Sequence, residues 1–186
     1  MPLDSHYTDE LLEAGVDEVA RGCLAGPVFA AAVIWPRDLD QNDDHPILRD
    51  SKKLSRTQRN YMREYIENTA IDFSVASVNN QEIDSINIRN ASFLAMHRAI
   101  EGLNVTPEFL LVDGNAFKPY LTKDTRDVIE HKCIIAGDDK YQSIAAASIL
   151  AKVYHDDYID NLVEANPDLS KYNWTRNMCY GTAEHI

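Results

Sequence analysis

The chain has few cysteines and prolines and no long hydrophobic segment, and each of these shortages excludes a class of protein. Three cysteines among 186 residues are too few for a disulfide framework, so we expect reduced thiols. His131 and Cys133 lie close together, but no second pair at zinc-finger spacing accompanies them, and no zinc site is predicted. The longest apolar stretch, roughly residues 25–35, is too short to span a bilayer.

The chain is also short of basic residues. Lys and Arg total 18 against 30 Asp and Glu, which gives a net charge of −12 and argues against indiscriminate binding of nucleic acid. That balance still allows a local basic groove, or an acidic site that works through bound cations. The acidic N-terminal residues are unlike a secretory signal, and a cytoplasmic location is expected.

The composition is that of an ordinary globular protein. Hydrophobic residues make up 45% and charged residues 26%, which excludes disordered and fibrous classes. A length of 186 residues suits one domain, so 1–186 is predicted to be a single catalytic unit. A monomer is expected.

Hydrophobic patterning predicts alternating strands and helices, and hence an α/β architecture. Ser55 and Gln58 have capping-box spacing at a helix start, and Gly102 stands where a later helix should stop. The predicted strands are 15–19, 28–35, 71–78, 109–112 and 133–136, and the predicted helices are 55–69, 87–102 and 140–164.

Acidic residues follow the apolar runs of three predicted strands. Asp17 and Glu18 end the first run, Asp113 follows the run at 109–112, and Asp138 follows the run at 133–136 after one glycine. If these ends are neighbours, four negative charges converge in one cleft and repel one another. Two divalent cations would cancel that charge, and ligands that are all oxygen favour Mg²⁺ or Mn²⁺.

Two other interpretations of these acids stay open. Strands commonly end at solvent, so acids there can simply be hydrated. Adjacent residues of a regular strand also face opposite sides, so Asp17 and Glu18 reach one cleft only if a bulge or the strand end redirects one of them. Otherwise Asp17 is a central ligand and Glu18 a peripheral one.

The same residues lie in segments that closely resemble the signatures of the type 2 ribonuclease H family, and of bacterial ribonuclease HII in particular. The matching segments occur in the family's order from about residue 13 to 185. They are AGVDEVARGCLAGPV at 14–28, DSKKLS at 50–55, LLVDGN at 110–115, GDDKYQSIAAASILAKV at 137–153 and YGTAEH at 180–185.

The resemblance implies a ribonuclease H-like fold with a mixed five-stranded central sheet flanked by helices. It implies cleavage of the RNA strand of RNA–DNA hybrids, and cleavage at single ribonucleotides in duplex DNA, as in DNA replication and ribonucleotide excision repair. The products would carry 5′-phosphate and 3′-hydroxyl ends. The implied metal ligands and catalytic residues are Asp17, Glu18, Asp113 and Asp138.

Substrate contacts are implied for a second set of residues. Those that read the RNA–DNA junction match Ala20, Arg21, Gly22 and Tyr180. Further substrate-binding residues are predicted at Lys52, Lys53 and Asn115. From the residues alone, Tyr180 could equally be a half-buried aromatic residue beside a turn, and the basic residues could simply be solvated on the surface. Lys152 could reach a phosphate or lie along the surface.

The chain departs from the family pattern in three places. Ala20 replaces the first glycine of the usual Gly-Arg-Gly, and Met178-Cys179 replaces the usual Lys-Gly before Tyr180. Ala20 keeps its backbone donor, so 2′-hydroxyl sensing survives unless the site needs a positive φ. The C-terminal part is short relative to the family, which predicts weaker duplex binding.

These departures leave a degenerate, hybrid-binding member of the same fold as the main alternative. Ribonuclease HIII is disfavoured because only 16 residues precede Asp17, too few for the substrate-binding domain of that type. A junction resolvase or another carboxylate-metal nuclease is a weaker alternative.

Overall fold

The computed structural model describes residues 3–39, 46, 48, 51, 54–183 and 185. The strands are β1 (Glu13–Val19), β2 (Val28–Ile34), β3 (Asp72–Val78), β4 (Phe109–Asp113), β5 (Tyr120–Leu121) and β6 (Val128–Ile134). The helices are α1 (Arg56–Thr69), α2 (Asn80–Ile86), α3 (Ile88–Glu101), α4 (Gln142–Ala165) and α5 (Trp174–Asn177), with 3₁₀ helices at Gly137–Asp139 and Pro167–Tyr172. None of these described helices has the length and apolar character that crossing a membrane requires.

The described strands form one mixed sheet in the order β3-β2-β1-β4-β6-β5. β1, β2 and β3 are antiparallel neighbours, β1, β4 and β6 run parallel, and β5 pairs antiparallel with β6. The predicted mixed sheet is thus confirmed, but it has six described strands where five were expected. The extra strand, β5, has two residues, which are too few to show the alternation that marks a strand in sequence.

The pleat of β1 assigns one face of the sheet to α3 and the other to α4. Ala14 and Val16 lie in the core under α3. Gly15 faces α4, and a methyl group added to Gly15 would lie 2.2 Å from the backbone carbon of Ser143. Side chains of odd-numbered β1 residues therefore point toward α4, and that face includes Asp17.

Small side chains bring α4 close to the sheet. Residues 144–151 of α4 are buried, and four of those eight are alanines. Because alanine adds little bulk beyond the backbone, the helix axis can lie near β1 and β2. α4 thereby forms the rigid floor beneath the ends of β1 and β4.

The predicted helix ends are largely confirmed. Ser55 Oγ accepts a hydrogen bond from the backbone N–H of Gln58, and the Gln58 side chain accepts one from that of Ser55. Gly102 follows the last residue of α3. A second capping box, between Asn79 and Glu82, begins α2, a helix that the periodicity analysis missed because seven residues are too few to establish a period.

The strand predicted at 133–136 was placed too late in the chain. The observed strand β6 is Val128–Ile134, in which only Ile129 is buried. Its polar side chains reach solvent, so the strand lacks the continuous apolar run used to predict it. As a result Asp138 does not directly follow a strand, and lies instead on the 3₁₀ helix Gly137–Asp139.

Candidate active site

Asp17 and Asp113 are neighbours at one edge of the sheet. β1 and β4 pair in parallel as far as Val16 opposite Val112, so the next residue of each strand is an aspartate. Val16 and Val112 both lie in the core under α3, and alternation therefore turns both aspartates toward the α4 face. Asp17 is buried and Asp113 is half-buried.

Asp17 is held by two hydrogen bonds. Its Oδ1 accepts the backbone N–H of Glu18 at 2.7 Å, and its carboxylate also accepts the hydroxyl of Ser148 on α4. Burial raises the pKa of Asp17 well above the ordinary range, and the charges of Glu18 and Asp113 raise it further. The hydrogen bonds act in the opposite direction and fix the carboxylate in place.

Glu18 approaches the same edge from the other face of β1. No bulge redirects it, since β1 stays paired with β2 through Glu18 and Val19, but the pairing of β1 with β4 stops before it. The Arg21 guanidinium donates to Glu18 Oε1 at 3.2 Å. Burial raises the pKa of Glu18, Arg21 opposes that increase, and Asp113 adds to it.

Asp113 is joined to the turn that carries Asp138. Asp113 Oδ1 accepts the backbone N–H of Gly137 at 2.7 Å. A Cβ added to Gly137 would lie 2.6 Å from Ile144 Cδ1 and 3.3 Å from Asp113 Oδ1, so the turn packs closely against both side chains. Asp138, the next residue, is 6% exposed. One hydrogen bond thus links the end of β4 to the loop before α4.

These side chains do not stand in a preformed metal site. In the described parts of the chain, no three His, Cys, Asp or Glu side chains are arranged to hold a metal ion. Their chemistry nevertheless fits a hard divalent cation, because the donors are all carboxylate oxygens. The charge of Asp113 raises the pKa of both Asp17 and Glu18, and a bound cation would relieve that repulsion.

The loop after β1 packs against Tyr180. Cys23 and Tyr180 form an isolated antiparallel bridge, and the backbone N–H of Leu24 donates to the carbonyl of Cys179 at 2.8 Å. A Cβ added to Gly22 would lie 3.7 Å from Tyr180 Cε1, so loop and ring are in close approach. Burial raises the pKa of Tyr180 to about 12, and its hydroxyl hydrogen-bonds with the backbone of Ala20.

The three residues that replace the family's usual ones, Ala20, Met178 and Cys179, all have a left-handed backbone. The φ angle is +76° at Ala20, +48° at Met178 and +64° at Cys179. Glycine adopts this region freely, whereas a side chain makes it costly. The expectation that 2′-hydroxyl sensing survives at Ala20 excluded the case of a positive φ, and the observed φ is positive, so the Ala20 backbone is strained.

The remaining predicted substrate residues are less informative. Lys52 and Lys53 lie outside the described residues. Asn115 is exposed in the turn after β4, next to Gly114 with a φ of +99°. Arg21 is also exposed, and the structure pairs it with Glu18.

Part of the site lies on α4, where the sequence pointed to Lys152 but not to Ser148 or Asp156. Ser148 contacts Asp17, and its hydroxyl is 3.0 Å from that of Ser51. Lys152 and Asp156 follow Ser148 at intervals of four residues, which places all three on one side of the helix. That spacing is the sequence signal that the three residues share one side of α4, although it does not tell which way that side faces.

Solved structures share this fold. Ribonuclease H2 from Pyrococcus horikoshii OT3 matches with a TM-score of 0.73 at 23% identity, covering 92% of this chain and 81% of that one. Bst-RNase HIII in complex with Mn²⁺ matches with a TM-score of 0.63 at 20% identity, covering 82% and 54%. These likenesses define the class: the chain has the ribonuclease H-like fold.

Sequence comparison gives the family. The model for ribonuclease HII matches residues 14–186. The ribonuclease HII of Porphyromonas gingivalis is 51% identical over 185 residues, covering 100% of this chain and 86% of that protein. The chain belongs to the ribonuclease HII family, and the protein is accordingly a metal-dependent endonuclease of the ribonuclease H type.

Proposed function

We propose that the protein hydrolyses the RNA strand of RNA–DNA hybrids and cuts on the 5′ side of ribonucleotides embedded in duplex DNA. The products are a 5′-phosphate and a 3′-hydroxyl. The observation that carries the proposal is the meeting of Asp17 and Asp113 on one face at the sheet edge, with Glu18 beside them. Such incision would begin the excision of ribonucleotides left in DNA by replication.

Asp17, Glu18, Asp113 and Asp138 would hold two divalent ions, Mg²⁺ or Mn²⁺. Bound there, such ions supply charge neutralisation at the scissile phosphate and an activated water. The protein's own contribution is orientation: Ser148 and the Glu18 N–H hold Asp17, and the Gly137 N–H holds Asp113.

Ala20, Arg21, Gly22 and Tyr180 would distinguish RNA from DNA. The discriminating atom is the 2′-hydroxyl, which needs a hydrogen-bond partner close to the sugar. Because Gly22 lies beside the Tyr180 ring, the N–H groups of this loop and the phenol would together face the sugar of a bound ribonucleotide. Because the pKa of Tyr180 is about 12, its hydroxyl stays protonated at neutral pH and can donate.

The second candidate is a member of the fold that binds hybrid without cutting it. The strained φ of Ala20 and of Cys179 favours it, since the loop after β1 and the segment before Tyr180 are less free to adjust than they would be with glycine. Retention of Asp17, Glu18, Asp113 and Asp138 favours the enzyme.

The two candidates are separated by incision of an end-labelled DNA duplex that contains one ribonucleotide. We expect a nick 5′ to the ribonucleotide with Mg²⁺ or Mn²⁺ and none with chelator. The variants D17N and D113N should bind the duplex without cutting it. Binding by the unsubstituted protein with no metal-dependent nick would instead establish the non-cutting candidate, and full activity of either variant would refute the site assignment.

A further inference from the structure

Lys152 on α4 lies over the ring of Tyr180. The Lys152 Nζ atom is 5.6 Å from the centroid of that ring, a distance at which an ammonium ion is attracted to the aromatic face. Its side chain is 18% exposed, so the charge is largely withdrawn from water. Partial desolvation strengthens such an attraction.

Asp156 holds Lys152 in that position. Asp156 Oδ1 accepts Lys152 Nζ at 2.7 Å, one helical turn along α4, and the Asp156 side chain is 5% exposed. Asp156 also lies 3.1 Å from His155 Nδ1, and its Oδ2 lies 3.5 Å from the Arg59 guanidinium on α1. A carboxylate with these partners is fixed, and so is the ammonium ion that it binds.

Arg59 ties this group to the segment before α1. Its guanidinium donates to the carbonyl of Leu54 at 2.6 Å and to that of Ser51 at 3.3 Å. Ser51 in turn contacts Ser148, the residue that bonds Asp17. These groups therefore connect Lys152 with Asp17 through side chains of both α1 and α4.

We propose that Lys152, held by Asp156, is a positioning residue that sets the orientation of the Tyr180 ring and thereby the preference for a ribonucleotide at an RNA–DNA junction. The inference rests on the proposed function and extends it. Gly22 borders the ring at its edge and Lys152 lies over its face, so the orientation of the ring depends on both.

The proposal predicts a selective loss in K152M. We expect kcat/KM for a duplex with one ribonucleotide to fall about tenfold more than kcat/KM for a uniform RNA–DNA hybrid, on the scale of a desolvated cation–π contact. K152R, which keeps the cation, should restore the preference to within about twofold of the unsubstituted protein. The loss should vanish in a Y180A background, because the ring on which Lys152 acts is then absent.

The control is R63M. Arg63 on α1 also lies over a tyrosine of α4, with its guanidinium carbon 4.4 Å from the ring centroid of Tyr154. Its ion-pair partners are Glu67 and Asp157 rather than Asp156. Its removal deletes a cation over a ring without touching Tyr180, and the substrate preference should not change. Thermal unfolding of every variant is recorded, and K152Q repeats the series if K152M is unfolded.

Each outcome decides the proposal. A loss equal on both substrates, and equal with or without Tyr180, would mean that Lys152 contacts a phosphate directly, and would overturn the proposal. Unchanged preference in K152M or K152Q would overturn it as well, as would failure of K152R to rescue. If the unsubstituted protein cuts neither substrate with metal, both the proposed function and this inference are wrong. An equal loss on both substrates, an unchanged preference or a failure of K152R to rescue would refute only this inference.

Discussion

At Ala20, a single methyl group strains the backbone, because the residue has a positive φ. The loop after β1 has a left-handed backbone at this position, and the chain supplies alanine there with a φ of +76°. The sequence could reveal the departure from glycine but not its cost, because φ depends on how the loop packs against Tyr180. The four acids, by contrast, could be proposed as metal ligands from their segments, since that proposal does not depend on a dihedral angle.

Replacing Ala20 with glycine should therefore stabilise the protein. Relief of the left-handed strain outweighs the entropy that glycine loses on folding, and we expect a gain of about 0.5–1 kcal/mol in the free energy of unfolding. Denaturant unfolding measures it. Ala14, which has no positive φ and is fully buried in β1, is the control: A14G should lose about 1 kcal/mol. An A20G protein that is less stable than the original would contradict the account.

At the scale of elements, the contact of β1 with α4 determines the site. The strand and helix patterns predicted both elements, and their ends agree with the structure within two residues. The patterns could not predict that Ser148, Lys152 and Asp156 face the site, because that depends on the rotation of α4 against the sheet. The patterns also misplaced β6, because its polar, solvent-exposed side chains give no continuous apolar run.

Gly15 tests this contact. An added methyl group would meet the α4 backbone at 2.2–2.5 Å, which neither element can accommodate without moving. We expect G15A to lose about 3 kcal/mol or more, or to fail to fold. G22A is the matched control, since its added carbon would meet only the Tyr180 ring at 3.7 Å, an ordinary contact. Equal stability of G15A and the unsubstituted protein in a thermal melt would show that this packing is wrong.

The ion group around Asp156 gives α1 and α4 a pH-dependent link. Burial works to raise the pKa of Asp156, but hydrogen bonds with His155 and Lys152 outweigh it and lower that pKa. The ionised carboxylate therefore stabilises the fold above the ordinary carboxylate pKa, and this contribution is lost as the pH falls through the lowered folded-state pKa.

The substitution D156N should accordingly cost about 3 kcal/mol at pH 7, because it leaves buried cations without their partner. The difference from the unsubstituted protein should narrow in acid, where that protein also loses the charge. Urea unfolding of both proteins between pH 3 and 7 provides the comparison. A difference that widens as the pH falls would reverse the sign that we infer.

At the scale of the whole molecule, we predict that residues 1–186 unfold as one domain. Trp35 packs under the start of α4 and Trp174 packs beside its far end, in separate hydrophobic clusters. The variants W35F and W174F each leave one tryptophan, which reports on one end of the molecule. Fluorescence of both variants and helical circular dichroism should give coincident transitions. An early transition for Trp174 alone would mean that the C-terminal part is a separate unit.

The net charge of the whole molecule bears on how the protein can bind a nucleic acid. With a net charge of −12, overall charge does not favour binding to a nucleic acid, so binding would rely on a local basic groove or on cations held by the carboxylates. The family could be recognised from its ordered segments. The gathering of Asp17 and Asp113 needed the register of β1 and β4, which no sequence segment states.

The most direct test is a titration with Mn²⁺, followed by electron paramagnetic resonance of the free ion. The account predicts that the unsubstituted protein binds Mn²⁺ and that D17N and D113N bind it at least tenfold more weakly, a loss of about 1.4 kcal/mol or more. The control is E108Q. Glu108 accepts the backbone N–H of Leu12 at the other end of the sheet, so this variant should bind Mn²⁺ as the unsubstituted protein does. Equal binding by D17N, D113N and the unsubstituted protein would contradict the account.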